Sequence, residues 1–250
     1  MRILTKPTIY FISQQQISPS QLQQFLDDHG ISWQSDTSVA AELLVETAGR
    51  LCYMSYAKPR PGGNKQYLSH ILQAKHGSVL EHAVFSFLIT GISRSLSHEL
   101  VRHRHMSFSQ LSQRYVDASD SAYVEPLCIA QHPHLHQCWL HAIQTAHAAY
   151  VELSQSLLAT TPTPNTLSLK AARQAARSVL PNAAETKIVV TANARAWRHF
   201  LLLRGSQHAD TEIRSLAISL YHQLASLAPN LFADISLSPQ QTLQSPYENV

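Results

Sequence analysis

Arg102-His103-Arg104-His105-Met106-Ser107-Phe108-Ser109-Gln110-Leu111-Ser112-Gln113-Arg114-Tyr115 is the stretch on which the reading of this 250-residue chain turns. Three permanent cations and two imidazoles stand within it, and the only acid close by is Glu99. Upstream, Ser97-His98-Glu99-Leu100-Val101 has helical character, which places the Arg-His-Arg triplet in the last turn of a helix, where the macrodipole favours cations. Helical neighbours point about 100° apart, so Arg102 and Arg104 are expected to fan to nearly opposite sides. Such a triplet serves more than one anionic group, or groups on two chains. Leu111 to Val116 then alternates as a short strand does. A solvated basic turn with packed histidines is the plain alternative. The density of Arg, His, Ser and Gln and the shortage of acids favour a phosphate-binding corner.

Composition is that of a globular chain: 44% hydrophobic, 14% charged, with a formal charge of +3. That charge is too mild for a duplex nucleic-acid partner. Positive charge is concentrated instead, with seven Lys or Arg from Lys170 to Arg204 against the single acid Glu185, as sites for small anions require. A basic RNA- or DNA-binding module would interleave aromatics as stacking platforms, and only Phe108 and Tyr115 qualify. Cys52, Cys128 and Cys138 are widely spaced and odd in number, which suits a reducing cytoplasm rather than a disulfide framework. No run approaches the ~20 apolar residues of a membrane span, so the chain is expected to be soluble and cytoplasmic.

Periodicity supplies the other elements. Thr8 to Ile12 suits a strand, and Pro19 to Asp28 and Val39 to Cys52 suit helices. Lys58 to Asn64 reads as a loop or lid, and Tyr67 to Ala74 as helix. After the turn His76 to His82 comes a strand whose Ala83, Phe85, Phe87 and Ile89 share one face. A long helix carries the stripe Trp139, Ile143, Ala146, Tyr150, Leu153 and Leu157, which reads as core. Beyond the turn Thr160 to Asn165, a helix from Thr166 to Val179 aligns Lys170, Arg173 and Arg177. Ile188, Val190 and Ala192 mark a strand ending at Asn193, and a helix with Arg195, Arg198, His199 and Arg204 follows. A last helix runs from about Ala209 to Leu227. The expected fold is α+β, an antiparallel-type sheet with long flanking helices in a single domain over residues 1–250, loose from about residue 236.

Two metal readings are weighed. His98-Glu99-Leu100-Val101-Arg102 lacks the second histidine a zinc protease needs four residues on, and a guanidinium cannot replace it. His132, His134 and His136 read better as surface imidazoles at a helix start, so no metal is expected. There is no Gly-x-Gly-x-x-Gly and no Gly-x-x-x-x-Gly-Lys among seven glycines. Any dinucleotide is then held by side chains rather than by a glycine-rich turn.

Arg102-His103-Arg104, seven residues and then Ser112 resembles the signature of the flavin-dependent thymidylate synthases, and the resemblance extends through Gln113-Arg114-Tyr115 and from about Leu43 to Phe232. It implies a homotetramer with composite active sites. It also implies that dUMP, methylenetetrahydrofolate and NADPH give dTMP and tetrahydrofolate, with FAD as hydride carrier. Carried over by position, Ser78 (and His76 beside it), Arg102, His103, Arg104, Gln110, Asn193, Arg195 and His199 would hold flavin. Glu99, Arg102, Gln110, Leu111, Ser112, Gln113, Arg114 and Arg177 would hold dUMP, with Arg204 at the uracil ring. Ser109 stands where many relatives carry Asn. Uracil carbon 5 is a poor nucleophile, and an enzyme thiolate adding at carbon 6 is one remedy. Cys52, beside Arg50, Leu51 and Tyr53, reads as buried, and no cysteine has an activating neighbour. The other remedy is a fixed cation at N3 and O4, and Arg204 is the candidate. No acid–histidine pair activates Ser112, which reads as a donor to phosphate.

Overall fold

The computed structural model describes all residues except 59, 162, 164 and 248–250. In chain order it contains β1 (Arg2–Leu4), β2 (Thr8–Gln14), α1 (Pro19–Asp28), α2 (Ala40–Leu51), α3 (Gly63–Gln73), β3 (Val84–Ser93), α4 (Arg94–Leu100), β4 (Ser107–Gln110) and β5 (Ala122–Val124). These are followed by α5 (Leu127–Ala130), α6 (Pro133–Ala159), α7 (Thr166–Ala176), β6 (Glu185–Asn193), α8 (Ala194–Arg204), α9 (Thr211–Leu227), β7 (Ser236–Leu237) and β8 (Leu243–Gln244). The fold is mixed α+β, with a four-stranded sheet in the order β2-β3-β6-β4. β1 and β5 form a separate parallel pair. Among the described residues no helix is long and apolar enough to cross a membrane.

The chain divides into two compact units. The first comprises Met1–Thr8, Leu88–Arg102 and Phe108–Val189, and the second Ile9–Phe87, His103–Ser107 and Val190–Val250. β3 and β6 each begin in one unit and end in the other. They run antiparallel: Arg94 N–H donates to Ala184 O at 2.9 Å in the first unit, and Ala194 N–H to Ala83 O at 2.7 Å in the second. Each strand ends on a capping side chain that starts a helix. Ser93 Oγ accepts the Leu96 N–H at 3.0 Å to begin α4, and Asn193 Oδ1 accepts the Ala196 N–H at 2.8 Å to begin α8. Each cap satisfies one of the amides that a helix start leaves open.

In the second unit the expected face of β3 is core. Ala83, Phe85 and Phe87 are fully buried, and Trp197 of α8 crosses the Phe87 ring edge-on at 5.3 Å while donating to Phe85 O at 3.2 Å. Burying such an aromatic stabilises by ~1.5–3 kcal/mol. α9 lies along α8 through Ile213, Leu216, Leu220 and Leu224, all fully buried. The tail is a hairpin rather than loose through Tyr247. β7 and β8 pair antiparallel, Leu243 is buried, and its N–H bonds Gly205 O at 2.9 Å. Apolar burial of Leu243 against the end of α8 supplies the order that two prolines and a polar composition concealed.

In the first unit α6 packs on α7. Only part of the α6 stripe is core: Ile143 and Tyr150 are buried, whereas Leu153 and Leu157 are about 40% exposed. The histidines at the start of α6 are exposed except His136, whose Nδ1 lies 2.8 Å from buried Glu125. α7 ends at Ala176, and Arg177 opens a tight 3-10 turn instead of continuing the helix. Gly91 in β3 has φ +69°, and a Cβ there would stand 2.8 Å from Lys6 O, so the strand's close approach to residues 6–7 requires glycine.

Two expectations about the organising stretch are corrected. α4 stops at Leu100, and the triplet lies beyond it in successive turns, with Arg102 N–H on Glu99 O and Met106 N–H on His103 O. The helical fan therefore does not apply to Arg102 and Arg104. Met106 decides the geometry, since burying it draws the chain out of the helix. The strand is Ser107–Gln110, four residues earlier than the alternation suggested, and residues 112–116 turn back, with the N–H groups of Tyr115 and Val116 on Ser112 O.

α8 is held from beneath by Arg198, 1% exposed, whose guanidinium makes two 2.7 Å bonds to Asp234 and one of 2.8 Å to Leu231 O. Burial alone would raise the Asp234 pKa, but hydrogen bonds from Arg198 and Ser245 and the Arg198 charge outweigh it and hold the carboxyl below its ordinary value. A folded pKa below the unfolded one means stability present above the ordinary carboxylate range and lost as pH falls through the folded value. Urea unfolding should therefore show stability declining below about pH 4. Asp234→Ala at neutral pH should cost ~3–5 kcal/mol by leaving a buried cation unpaired, and should remove its share of that acid dependence.

Candidate functional site

In the second unit a cavity of about 550 Å³ opens among α2, α3, the turn at residues 77–82 and the first turn of α8. Ser78, His76 and Arg195 line it, together with Cys52, Tyr53 and Arg60. Of the residues expected to hold flavin, Ser78, His76 and Arg195 thus line one cavity. Arg195 is not a bare cation: it pairs with Glu81 at 2.7 Å, both side chains nearly half exposed. Asn193 caps α8 with its side chain, so its first role is to launch the helix. Tyr67 and His70 of α3 also face the cavity, and burial, then the nearby Arg60 and His76 charges, lower the His70 pKa.

The other end of α8 carries a second constellation. Arg204 is its final residue, and Arg204 Nε donates to His103 Nε2 at 3.0 Å. The His103 ring meets Phe200 nearly edge-on at 5.1 Å and His199 at 6.1 Å. Burial, followed by the charges of Arg204 and His199, pushes the His103 pKa down to about 4. The imidazole is neutral in the working range, and accepting at Nε2 puts its proton on Nδ1. Gly205 is packed against this corner, since a Cβ would stand 2.7 Å from Leu243 Cδ1. Arg104 is exposed in the turn that follows His103.

The first unit holds the remaining candidates. Gln110 Nε2 donates to Ser97 Oγ at 2.9 Å and Thr186 Oγ1 at 3.2 Å, which fixes its amide orientation. Leu111 N–H bonds Lys187 O, and Ser112 Oγ accepts the Arg114 N–H at 3.4 Å, so Leu111, Ser112, Gln113 and Arg114 form a half-buried turn. Beyond them Tyr115 is ringed by cations. Lys170 Nζ sits 4.7 Å and the Arg114 guanidinium 5.8 Å from its ring centre, and Arg173 donates to its carbonyl at 2.6 Å. The Lys170 hydrogen bond and charge lower the Tyr115 pKa. Arg177 stands near Arg94, whose pKa falls through burial and then the Arg177 charge. Glu99 is half-buried on the last turn of α4, and Arg102 is exposed just after it.

The sequence candidates thus form two groups, one within each unit: Glu99, Arg102, Gln110, Leu111, Ser112, Gln113, Arg114 and Arg177 in the first, and Ser78, His103, Arg104, Asn193, Arg195, His199 and Arg204 in the second. The boundary falls inside the triplet, between Arg102 and His103. Cys52 is a correction: it is exposed and lines the cavity of Ser78 and Arg195, its thiol donating to Ala48 O at 3.4 Å. It sits at the end of α2, where the expected stripe had closed and the chain turns outward. Glu81, Tyr53, Tyr67, His70 and Lys75 were missed because no local spacing marks them. Arg60 fell in the stretch flagged as a possible lid, of which Pro59 lies outside the described residues. Pro162 and Pro164 of the expected turn before α7 also lie outside them.

The family described as thymidylate synthase complementing protein matches residues 36–230. The flavin-dependent thymidylate synthase of Mycobacteroides abscessus is 52% identical over 218 residues, covering 86% of this chain and 87% of that protein. That of Mycobacterium marinum is 50% identical over 219 residues, with the same coverage. The chain belongs to the flavin-dependent thymidylate synthase family, whose members are FAD-dependent methyltransferases. Among solved structures, a UMP/dUMP methylase PolB from Streptomyces cacaoi, bound with 5-Br dUMP, superposes with a TM-score of 0.68 over 93% of this chain and 96% of that one. At 22% identity this likeness concerns the fold.

The Glu81–Arg195 pair is too exposed to support the fold. Glu81→Ala should change the free energy of unfolding by less than ~1 kcal/mol in a denaturant titration. A larger loss would show that the pair holds α8 in place.

Proposed function

We propose that this chain makes dTMP from dUMP, taking the carbon from 5,10-methylenetetrahydrofolate and using FAD reduced by NADPH, with no enzyme thiol as nucleophile. The observation that carries this reading is Arg204. It is a permanent cation, half-buried at the end of Phe200-Leu201-Leu202-Leu203, and its Nε donates to the neutral imidazole of His103. Partial desolvation strengthens such a charge. Placed against N3 and O4 of uracil, it increases electron density at carbon 5, which is the task a covalent thiolate would otherwise perform.

The cavity's donor set suits a flat, anionic cofactor: Ser78, His76, Arg195 and Arg60 offer donors and charge, and Tyr53 and Tyr67 offer aromatic surface. In our reading Ser78, Asn193, Arg195 and His199 hold the flavin with Arg102, His103, Arg104 and Gln110. When bound, the flavin supplies the hydride drawn from NADPH. Glu99, Arg102, Gln110, Leu111, Ser112, Gln113, Arg114 and Arg177 receive the nucleotide. Gln110 comes to this task with its amide already oriented by Ser97 and Thr186, and Ser112 serves as a donor to phosphate. The grouping of candidates in two units supports composite sites in a homotetramer, and the family match across parts of both units supports reading residues 1–250 as one functional domain. Three free cysteines are in keeping with a cytoplasmic setting.

Anaerobic turnover of dUMP, methylenetetrahydrofolate and NADPH should yield dTMP, and no product from flavin-loaded protein would refute the reading. Arg204→Ala should retain flavin and its reduction by NADPH yet lose methyl transfer by ~100-fold or more. Arg204→Lys should recover little, because a point charge lacks the planar fork. A normal oxidative half-reaction in Arg204→Ala would end the ring-activating role.

The triple variant Cys52→Ala, Cys128→Ala, Cys138→Ala should keep dTMP synthesis within several-fold of the parent. Cys52 makes the experiment sharp, since it alone of the three lines the cavity. A fall of several orders of magnitude in protein that still binds flavin and dUMP would mean a thiol nucleophile.

A further inference from the structure

We propose that a second cavity, walled by Trp33, Tyr56 and Ala57 and bordering the first at Arg60, receives the adenosine end of NADPH, with the pyrophosphate at Arg60. The proposal rests on the reading that NADPH reduces a flavin held in the cavity of Ser78 and Arg195, and adds where the rest of the reductant lies.

This second cavity, of about 350 Å³, belongs to the same unit as the first, and Arg60 lines both. Its volume is at the lower end for ligand pockets and suits one ring system with its sugar. Most polar groups in its wall are committed to one another. Arg50 directs its guanidinium at Glu46 and at the carbonyls of Ser55 and Lys58. Glu46 also accepts from Ser35 and Asn64, and Asp36 accepts the Asn64 N–H in the first turn of α3. Neither carboxylate is therefore a bare charge opposing an anion. Arg60 differs from them. Among the described residues its side chain makes no hydrogen bond or ion pair, and its one ring contact is Tyr67, whose centre lies 6.0 Å from the guanidinium carbon. Its planar fork of donors matches phosphate. Lys58 and Lys65, both exposed, flank it in sequence and add positive potential.

Trp33 and Tyr56 give the second cavity aromatic surface. Their rings meet edge-on at 5.2 Å, the Arg50 guanidinium stands 5.4 Å from the Trp33 ring centre, and Trp33 remains partly exposed. An indole held in place this way is a ready partner for a base. From the first cavity outward the protein thus offers room for a ring, then a cation with open donors, then aromatic surface. A ligand that fills this sequence has the order ring, anion, ring. NADPH has that order, with nicotinamide and adenine on either side of the pyrophosphate. Methylenetetrahydrofolate does not, since its ring systems come first and its carboxylates last. FAD shares the order, but in our reading Arg102, His103 and Arg104 serve it.

The experiment uses flavin-loaded full-length protein with the cavity blocked by Ala57→Trp or by Ser32→Trp, both at exposed positions that line it. In calorimetric titrations the parent should bind NADP⁺ and adenosine 2′,5′-bisphosphate in competition. Both affinities should weaken ~10-fold or more in each variant, while flavin content stays parental. Flavin reduction should need a correspondingly higher NADPH concentration for half its maximal rate. Reduced nicotinamide mononucleotide, which lacks the adenosine, should reduce parent and blocked variants alike. Arg60→Gln, read per bound flavin, should weaken both reductants, because the phosphate next to nicotinamide is common to them. Two blocking positions keep a folding failure at one from deciding the outcome.

Parental NADP⁺ affinity in the blocked variants would overturn the proposal, as would an equal penalty on reduced nicotinamide mononucleotide. Loss of flavin from both variants would place the adenosine of FAD in this cavity and overturn it equally. Parental behaviour of both reductants in Arg60→Gln would remove the pyrophosphate contact. The parent alone reports on the underlying reading. Bound flavin that NADPH does not reduce removes that reading and this proposal together, whereas normal reduction in the parent beside unchanged blocked variants removes only the role of the second cavity.

Discussion

The buried ion pair of Arg198 with Asp234 is the constraint on which the candidate site depends. Both side chains are almost wholly withdrawn from solvent, and the guanidinium is gripped by both carboxylate oxygens and the Leu231 carbonyl. Burying two charges is costly, and a pair of this kind gains little over well-packed apolar groups in net stability. What it supplies is direction: two parallel bonds fix the rotation of α8 about its axis. Arg195, His199 and Arg204 project from that same helix, so their bearing follows from how Arg198 is held. Asp234 also accepts from Ser245, which brings the terminal hairpin into the same anchor.

Two strand-to-helix junctions give the fold its frame. β3 ends on Ser93 and starts α4, and β6 ends on Asn193 and starts α8, each with a side-chain oxygen on the amide three residues ahead. Asn193 thereby has structural work that any contact with a ligand must share. Gly91 allows β3 its close approach to Lys6, where a side chain would collide with backbone.

Charge is handled without a glycine-rich loop. Several cations lie beside imidazole, an aromatic ring or another cation: Arg204 Nε on His103, Lys170 and Arg114 over the face of Tyr115, and Arg94 near Arg177. Glu81 does pair with Arg195, but that pair is exposed and solvent weakens it. Side chains arranged this way keep positive potential available to anionic ligands, whereas full pairing would neutralise it.

The sequence by itself determined the α+β class, the presence of the longer helices and of the two central strands, and the family. Period-two burial in Phe85, Phe87 and Ile89, period-3.6 burial in Ile213, Leu216, Leu220 and Leu224, and the spacing from Arg102 to Ser112 are all local patterns. Local pattern failed where a distant partner decided the outcome. Burial of Met106 drew the triplet out of α4, and Leu243 packing on Gly205 ordered a tail whose composition suggested disorder. Cys52, flanked by bulky neighbours in sequence, turned outward where α2 ends. Only tertiary structure could bring Glu81 to Arg195, 114 residues apart, or His103 to Arg204, 101 residues apart. Periodicity reports which face of an element is buried, but a hydrogen bond between side chains a hundred residues apart is set by how the elements carrying them pack, and no local spacing encodes that.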